Sequence, residues 1–349
     1  LSLRGRRIDA VRVEETQTGR EFQIEAQVVV NAAGAWASQV AAMADIKILM
    51  RYSKGSLLVT ETRLAKRVIN RLRRATDADI LVPGGTVSIL GTTSVRVDSQ
   101  DQVFPEISEV DLLIDDGSAM VPALATTRYI RAYCGVRPLV GGGGGDDRDL
   151  SRGYALLDHA HDGVDNFITI TGGKLTTSRL MAERTADQVC RHLNVDAPCL
   201  TSEVPIPDSR DGKWTEPGLA PREWIRADTP RDQLLCECEM VSRSVLDDLI
   251  ATIRRQGGFP SLEAISRRSR IGKGPCQGTF CSLRVVADLY DRGEYQDHQG
   301  RDNLRAFLNE RWRGQHPLMW GSALMQAVQA VCLALGGPGP SNVDSSKRS

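Results

Sequence analysis

Apolar and polar positions alternate with two different periods along this chain of 349 residues. Residues 8–30 alternate with period two, which predicts two antiparallel strands, Ile8 to Val13 and Glu21 to Val30. The second ends in Val28-Val29-Val30, as a strand buried on both faces would. Similar signals predict strands at Gly55–Thr60, Ile80–Thr93, 134–140 and 167–171. Strands interleaved with helices predict a mixed α/β (α+β) first half.

Helical spacing predicts helices around Arg63–Arg74, over Glu106–Leu124 and over Leu175–Leu193. The basic residues of the first are expected on a solvated face. The inward face of the third is expected to carry Ala182, Ala186, Val189, Cys190 and Leu193.

Composition shifts predict four regions: residues 1–197, a linker at 198–230, a cysteine segment at 231–295, and a tail at 296–349. Ser242 and Ser261 are expected to cap two short helices of the cysteine segment, and a third begins near Cys281. Within the tail, residues 318–335 carry no charge and are rich in Ala, Gln and Ser. This favours a helix that docks on a partner or a membrane surface over one that crosses a membrane.

Charge and cysteine usage narrow the class of protein. The 44 basic and 44 acidic residues cancel, so no nucleic-acid partner is expected. No secretory signal is visible, and eight cysteines then favour metal ligands and buried thiols over disulfides, which predicts a cytoplasmic protein. The chain begins at Leu1 in a strand-like segment, so we expect a C-terminal fragment of a longer protein.

Four cysteines form the most specific pattern. Cys236 and Cys238 are separated by one residue, and after 37 intervening residues Cys276 and Cys281 follow in a glycine-containing loop. The one-residue spacer is tighter than zinc knuckles prefer, whereas four thiolates can hold a [2Fe–2S] cluster with two ligands on each iron. A zinc site and four buried thiols without metal remain alternatives. Gly272, Gly274 and Gly278 would let backbone N–H groups approach the sulfurs.

This segment resembles the BFD-like (bacterioferritin-associated-ferredoxin-like) [2Fe–2S] domain over roughly 60 residues, the size of a small domain. Such small all-helical domains occur fused to flavin-dependent oxidoreductases, which directs attention to the first half of the chain.

Two strand–turn–helix segments in the first half of the chain have the form of a dinucleotide-binding turn. The turn after Val30 resembles the cofactor-approaching turn of D-amino-acid-oxidase-like FAD proteins. The turn after Thr171 carries two glycines and two threonines at a helix start, where negative charge on a reduced flavin is stabilised. An ordinary capped helix is the alternative. The expected cofactor-binding residues are Asn31, Ala33, Gly34, Trp36, Gly172, Gly173, Lys174, Leu175, Thr176 and Thr177.

Four motifs together resemble the FAD-dependent glycerol-3-phosphate dehydrogenases over nearly the whole chain. They are Ile89-Leu-Gly-Thr-Thr93, Gly135-Val-Arg-Pro-Leu139, Leu150-Ser-Arg-Gly-Tyr154 and Gly172-Gly-Lys-Leu-Thr-Thr177. With the cysteine segment attached, the chain is similar to the A subunits of the anaerobic, membrane-associated members. The resemblance implies a D-amino-acid-oxidase-like fold that lacks its N-terminal dinucleotide-binding unit here, with the catalytic base outside this sequence.

The resemblance also implies a substrate pocket lined by Arg137, Arg152 and Lys174. Two guanidinium groups and an ammonium suit a phosphomonoester dianion. The alternative for Arg137 is an ion pair with an acid at 146–149.

The implied reaction is oxidation of sn-glycerol 3-phosphate to dihydroxyacetone phosphate. Electrons would pass from FAD through the [2Fe–2S] cluster to membrane-associated partner subunits and the quinone pool, at the inner face of the cell membrane. Two alternatives stay open: an amine or amino-acid oxidase subunit of the same flavin group, and a non-catalytic iron–sulfur electron-transfer fragment.

Overall fold

The computed structural model describes residues 1–15, 19–101, 103–141, 153–205 and 232–335, with the side chains of 322 and 330–335 left aside. The strands are β1 (Ser2–Arg4), β2 (Arg7–Glu15), β3 (Arg20–Ile24), β4 (Val29–Asn31), β5 (Met50–Thr60), β6 (Ile69–Asn70), β7 (Ile80–Gly84), β8 (Val87–Gly91), β9 (Val95–Val97), β10 (Tyr129–Val140), β11 (Tyr154–Asp158), β12 (Phe167–Gly172), β13 (Leu234–Cys236) and β14 (Val241–Ser242). The α-helices are α1 (Ala37–Ala42), α2 (Ile107–Met120), α3 (Ser178–Leu193), α4 (Arg243–Arg255), α5 (Leu262–Arg268), α6 (Cys281–Asp291), α7 (Gln299–Trp312) and α8 (Gly321–Leu335).

The chain folds into two compact units that each combine separate stretches of sequence. The first unit comprises Leu1–Gly55, Ser94–Val103 and Gly135–Asp211. The second comprises Ser56–Thr93, Phe104–Cys134 and Gly212–Ser349. Strands β5 and β10 each continue from one unit into the other, so the sheet-forming part of the second unit is interleaved in sequence with the first.

In the first unit, β12 is the middle strand of a three-stranded sheet. It pairs antiparallel with β11 and parallel with β4, with Phe167 opposite Val29. Residues 167–171 are all buried, whereas Val30 of β4 is 39% exposed. The expectation that residues 28–30 are buried on both faces is therefore wrong. The predicted strand Glu21–Val30 is also two strands, since β3 pairs with β2 and β4 with β12.

Helix α3 occupies the predicted range, but its inward face differs from the prediction. Thr185 is its buried residue, while Ala182 and Ala186 are exposed and Leu193 is 37% exposed. The hydroxyl of Thr185 donates to the Met181 carbonyl at 2.7 Å, which lets a polar side chain occupy the buried position.

In the second unit, α2 packs on an antiparallel sheet. An added Cβ on Gly117 would lie 2.7 Å from Leu90 Cδ2, so the helix approaches the sheet closely at that residue. The buried core between them contains Leu58, Leu81, Leu90, Leu113 and Leu124. The predicted helix over residues 106–124 is confirmed, with a capping box between Glu106 and Glu109 at its start. The predicted strand Ile80–Thr93 is instead the hairpin formed by β7 and β8.

The predicted helix over Arg63–Arg74 is wrong, since this segment is irregular apart from β6 (Ile69–Asn70), which lies at the edge of that sheet. Ile69 pairs with Leu81, and the guanidinium of Arg63 donates to the Gly85 carbonyl at 3.3 Å. The backbone N–H of Leu64 donates to Ser88 Oγ at 2.9 Å. Tertiary partners for the backbone and the arginines thus replace the hydrogen bonds of a helix.

The cysteine segment forms helices α4, α5 and α6 at the predicted places. Ser261 caps α5 as predicted, since its Oγ accepts from the Ala264 N–H at 3.1 Å. Ser242 occupies the N-cap position of α4, but its hydroxyl makes no capping hydrogen bond, so this predicted cap is wrong. Asp232 Oδ1 accepts from the Ser244 N–H at 3.0 Å instead. Their shared core also includes the following segment, through Leu304, Phe307, Leu308 and Trp312 of α7 and Ala327 of α8. In the described part of the chain, no helix combines the length and the apolar character that a membrane crossing needs.

Gln315 joins this segment to β10. Its Oε1 accepts from the Ala132 N–H at 2.9 Å, and its Nε2 donates to the Ala132 carbonyl at 2.7 Å. Gln315 is 2% exposed, so both hydrogen bonds are shielded from water. β10 is the terminal strand of its sheet, and this side chain occupies backbone groups that a further strand would otherwise take.

Candidate functional site

The predicted cofactor-binding turns meet at one edge of the first unit. Because β4 and β12 are parallel neighbours, the turns that follow them leave the sheet at the same end. Thr171 Oγ1 donates to the Gly34 carbonyl at 2.9 Å and joins the two turns directly. The carboxyl ends of adjacent parallel strands are where open α/β sheets bind dinucleotides.

The glycines of these turns are required by the backbone. Gly172 and Gly173 have φ values of +79° and +73°, in the left-handed region. A Cβ on Gly172 would lie 2.9 Å from the Gly153 carbonyl oxygen, and one on Gly173 would lie 2.5 Å from Met181 Sδ. Gly34 also has a positive φ, +58°, but a Cβ there would meet no atom within 4 Å. Open space beside Gly34 is what close passage of a cofactor requires.

Two large side chains beside these turns are exposed. Leu175 is 91% exposed and Trp36 is 46% exposed, although Trp36 Nε1 donates to Asp101 Oδ1 at 2.8 Å. Lys174 and Thr176 are exposed as well. The turns thus present apolar side chains and an ammonium to the same open edge, which fits a partly apolar, negatively charged ligand.

Other predicted residues are used inside the turns. Asn31 is 3% exposed, and its amide Nδ2 donates to the Ala37 carbonyl at 2.8 Å and to Thr169 Oγ1 at 3.2 Å. The hydroxyl of Thr177 accepts from the Lys174 N–H at 3.0 Å. Ala33 is half-buried, and its N–H donates to Asn31 Oδ1 at 3.2 Å. These hydrogen bonds fix the shape of the turns, and the cofactor-binding roles of Asn31, Ala33 and Thr177 stay predictions.

Of the predicted substrate residues, the structure describes Arg137 and Lys174. Arg137 is exposed only in part within β10, and Lys174 is exposed at the start of the turn before α3. Arg152 and the acids at 146–149 lie outside the described residues, so their roles stay predictions.

The four paired cysteines lie together in the second unit. Sulfur–sulfur hydrogen bonds join Cys281 to Cys236 and to Cys276, and join Cys238 to Cys276. Cys236 and Cys281 are each 2% exposed, while Cys238 and Cys276 are half-buried. Within the described residues, no three or more His, Cys, Asp or Glu side chains gather as they would around a single metal ion.

The thiols differ in acidity. The pKa of Cys276 falls to about 2 because Cys238 and Cys281 both donate to it, and the pKa of Cys236 falls because Cys281 donates to it. The same hydrogen bonds raise the pKa of Cys238 and of Cys281, which act as donors. The site thus combines two cysteines with a lowered pKa, Cys236 and Cys276, and two with a raised pKa, Cys238 and Cys281.

Backbone N–H groups surround these sulfurs as the glycine pattern predicts. Gly272 donates to Cys236, and Gly278 donates to Cys276. A Cβ on Gly274 would lie 2.5 Å from Cys238 Cβ, so that glycine allows the two thiol segments to approach. Four thiols with backbone donors around them fit the donor set of a [2Fe–2S] cluster, in which each iron takes two thiolates.

Sequence reasoning missed three residues of these two sites. Thr171 lies on the same face of β12 as Thr169, a repetition that could have indicated a polar role. Gln277 is 2% exposed between two of the cysteines. Arg311 follows Phe307 by four residues on the inward face of α7, where an arginine is unusual and needs a partner.

Comparison with known proteins decides the family of the first half. The profile of the FAD dependent oxidoreductase family (DAO) matches residues 1–188, more than half of the chain. The chain belongs to this family. The predicted D-amino-acid-oxidase-like fold is thereby confirmed.

The relatives narrow the resemblance to the A subunits of anaerobic glycerol-3-phosphate dehydrogenases. The chain is 41% identical over 347 residues to the one from Escherichia coli K12, covering 93% of this chain and 63% of the relative. It is 38% identical to subunit A1 of the anaerobic glycerol-3-phosphate dehydrogenase from Haloferax volcanii. The match covers 89% of this chain and 56% of that relative. The chain thus spans less than two thirds of these relatives. The similarity inferred from the motifs is confirmed.

A solved structure supports the fold. The glycerol-3-phosphate dehydrogenase from Bacillus halodurans, complexed with FAD, superposes with a TM-score of 0.54 at 19% identity, covering 94% of this chain and 66% of that one. At this identity the likeness concerns the fold alone.

Proposed function

We propose that this FAD dependent oxidoreductase chain oxidises sn-glycerol 3-phosphate to dihydroxyacetone phosphate and delivers the electrons through a [2Fe–2S] cluster to membrane-associated partner subunits and quinone. The observation that carries the proposal is the pairing, in one chain, of the two glycine turns joined by Thr171 with the four gathered thiols. Similarity to the anaerobic glycerol-3-phosphate dehydrogenase A subunits supports the choice of substrate.

In this proposal, the turns of the first unit hold the flavin. The FAD would supply hydride acceptance, and the cluster would supply one-electron transfer. Gly34 leaves room for the cofactor, Thr171 fixes the two turns relative to each other, and Leu175 and Trp36 cover an apolar part of it. The start of the helical segment at 175–177 places backbone N–H groups beside the negative charge that a flavin gains on reduction.

Arg137, Arg152 and Lys174 are proposed to bind the phosphate of the substrate. A phosphomonoester dianion is held best by charge-assisted hydrogen bonds, and each such bond contributes about 1.5–3 kcal/mol. An exposed Lys174 next to the glycine turn has the reach and the charge for this role. The proposed catalytic base belongs to none of the residues named here.

Cys236, Cys238, Cys276 and Cys281 are proposed to hold the cluster. The buried pair would fix it in the core, and the half-buried pair lies nearer to the surface, where an acceptor approaches. Glu237, between the first two cysteines, is exposed and pairs with Arg284 at 2.9 Å. A cavity of about 650 Å³ beside it is lined by charged residues that include Arg243, Arg284 and Asp291.

Helix α8 supports a proposed docking face for the membrane-associated partner. Leu324, Met325 and Val328 are between 44% and 69% exposed and lie within one side of the helix, and Trp320 directly before it is 69% exposed. Ala327, next to this side, is buried, and Gln326 Oε1 accepts from Arg128 at 2.5 Å. The helix therefore exposes apolar side chains for a partner, while Gln326 holds it to Arg128.

The decisive experiment is an anaerobic substrate titration of the purified protein. We expect flavin, iron and acid-labile sulfide, and bleaching of the flavin absorbance by glycerol 3-phosphate but not by glycerol. Lys174→Ala should raise KM for glycerol 3-phosphate about tenfold or more, because a charge-assisted contact is lost. Lys47→Ala, at another exposed lysine of the first unit, is the matched control and should leave KM unchanged.

Each alternative gives a different result in that titration. Bleaching by amines or amino acids instead of the phosphate ester would identify an oxidase of the same flavin group. Iron and sulfide without flavin absorbance or substrate-dependent reduction would identify an electron-transfer module. Either result would overturn the proposed dehydrogenase activity.

A further inference from the structure

Arg311 at the end of α7 lies against the loop that carries two of the paired cysteines. Its Nη2 donates to Gln277 Oε1 at 2.6 Å, and Gln277 directly follows Cys276. Gln277 is itself held by a hydrogen bond from its Nε2 to the Gly274 carbonyl at 2.9 Å. The carbonyl of Arg311 accepts from Arg131 Nη1 at 3.2 Å, which fixes the end of the helix. Gln277 thus holds the guanidinium, and Arg131 holds the backbone that carries it.

One donor of this guanidinium has no acceptor. The Nε of Arg311 is fully buried and makes no hydrogen bond to any described residue. A buried donor without a partner costs about 1–3 kcal/mol, and more when it is charged. Because the rest of the Arg311 side chain is well positioned, the unpaired Nε indicates that an acceptor belongs beside it.

The charges around Arg311 indicate that this acceptor is an anion. Burial and the charge of Arg131 lower the pKa of Arg311 to about 9, although the sulfurs of Cys281 and Cys276 and the carboxylate of Glu310 act in the opposite direction. Burial also lowers the pKa of Lys273, with contributions from Arg270 and Arg311.

Glu239, the acid that acts on Lys273, is already engaged by other partners. Glu239 is 4% exposed, accepts from Arg270 Nε at 2.8 Å, and accepts from the Thr86 hydroxyl at 2.6 Å. Arg131 and Lys273 add positive charge around Arg311, and Glu310 opposes it with one negative charge. An iron–sulfur cluster with four thiolate ligands carries net negative charge and would supply more.

We propose that Arg311 raises the reduction potential of the cluster by donating from its Nε to a sulfur on the Cys276–Cys281 side. This inference rests on the proposed [2Fe–2S] function of the four thiols. Reduction adds one negative charge to the cluster, and hydrogen bonds to sulfur and nearby positive charge stabilise the reduced form. Gln277 and Arg131 act as positioning residues, because they hold the guanidinium and the helix end that bears it.

The test is a redox titration of the cluster, monitored by its EPR signal, in the purified protein and in Arg311→Gln. Loss of the charge and the donor should lower the equilibrium constant for one-electron reduction about tenfold, a shift of about 59 mV to lower potential. Arg301→Gln removes the same charge from the exposed start of the same helix and should leave the potential unchanged. An unchanged potential in Arg311→Gln, with the cluster present, would overturn the inference.

Arg311→Lys separates the charge from the Nε donor. Lysine keeps a positive charge at this position but cannot reproduce the guanidinium geometry. We expect a potential between those of the wild type and Arg311→Gln. Full recovery of the wild-type potential would contradict the assignment of the effect to Nε.

A measurement on the wild type covers the case in which Arg311→Gln does not fold. Pulsed EPR of the reduced protein labelled with ¹⁵N-arginine should detect a guanidinium nitrogen coupled to the cluster, and Arg311→Lys should remove that coupling. A wild-type spectrum without it would refute the contact. Absence of iron and sulfide from the wild type would instead refute the proposed cluster itself, so the two failures are distinguishable.

Discussion

The thiol site and the glycine-turn site differ in how the chain supplies their residues. Every cysteine of the thiol site lies between residues 236 and 281, and its core is formed by residues 235–327. The glycine-turn site depends on Gly34 and Thr171, which are 137 residues apart. The thiol site is also enclosed, with Cys281 at 2% exposure, whereas Leu175 is 91% exposed. Local folding sets the first site, and long-range strand pairing sets the second.

The largest expected effect is on the thiol site alone. Cys276→Ser should abolish the cluster, because it removes one of the four proposed ligands, the cysteine that is hydrogen-bonded to two of the other three sulfurs. Iron and acid-labile sulfide analysis should show the loss, while flavin content stays unchanged. Cys199→Ser, at a cysteine outside the paired set, is the control and should keep iron and sulfide. Retention of iron and sulfide in Cys276→Ser would contradict the assignment of Cys276 as a ligand of the cluster.

The second prediction concerns the support under the thiol loop. Phe307 is 5% exposed, and its ring would lie 2.6 Å from a Cβ on Gly272 and 2.7 Å from one on Gly278. Phe307→Ala should lower the free energy of unfolding of this region by about 3–5 kcal/mol, because it removes a buried aromatic ring. Denaturant unfolding followed by cluster absorbance measures the loss.

Phe259→Ala is the matched control for Phe307→Ala. Phe259 is 36% exposed, although it stacks on Tyr295 at 5.6 Å, so less apolar area is lost. An equal loss in the two variants would mean that the loop does not depend on the ring of Phe307.

The smallest expected effect on stability is at the glycine-turn site. Gly34→Ala should cost about 1–2 kcal/mol from its positive φ, yet it should lower flavin content markedly, because the methyl group enters the open space beside the turn. Gly5→Ala has a matching φ of +59° and equally open surroundings, so it should cost the same stability and retain flavin. Equal flavin content in both variants would contradict the placement of the cofactor. Flavin absorbance of the purified variants decides the matter.

The same contrast explains which elements could be predicted from the sequence. Helices α4, α5 and α6 lie where apolar spacing, glycine stops and the Ser261 cap place them, since those signals act within one or two turns. The backbone donors to the cysteines also follow from local glycines. These features need no information from distant parts of the chain.

The wrong predictions involve long-range partners. The segment Arg63–Arg74 has helical spacing, but Ile69 pairs with Leu81 and Arg63 binds the Gly85 carbonyl, which the local pattern does not contain. Helix α3 has apolar residues on the predicted face, but Thr185 is the buried one because its hydroxyl is satisfied within the helix. In both cases a tertiary or hydrogen-bonding alternative outweighs propensity.

The candidate sites show the same limit. The four cysteines could be assigned together from their spacing, and the glycine turns from their motifs. Thr171 and Arg311 could not be assigned, because each acts on a residue far along the chain: Thr171 on Gly34 and Arg311 on Gln277.

The double hydrogen bond between Gln315 and Ala132 affects the risk of aggregation before folding is complete. An uncovered terminal strand is a template on which another chain can add a strand and start aggregation. Gln315 is 183 residues after Ala132, so during synthesis β10 leaves the ribosome long before this cover exists. We therefore expect a chain truncated before Gln315 to aggregate or to need a chaperone. The Gln315 side chain thus helps to keep the folded protein soluble.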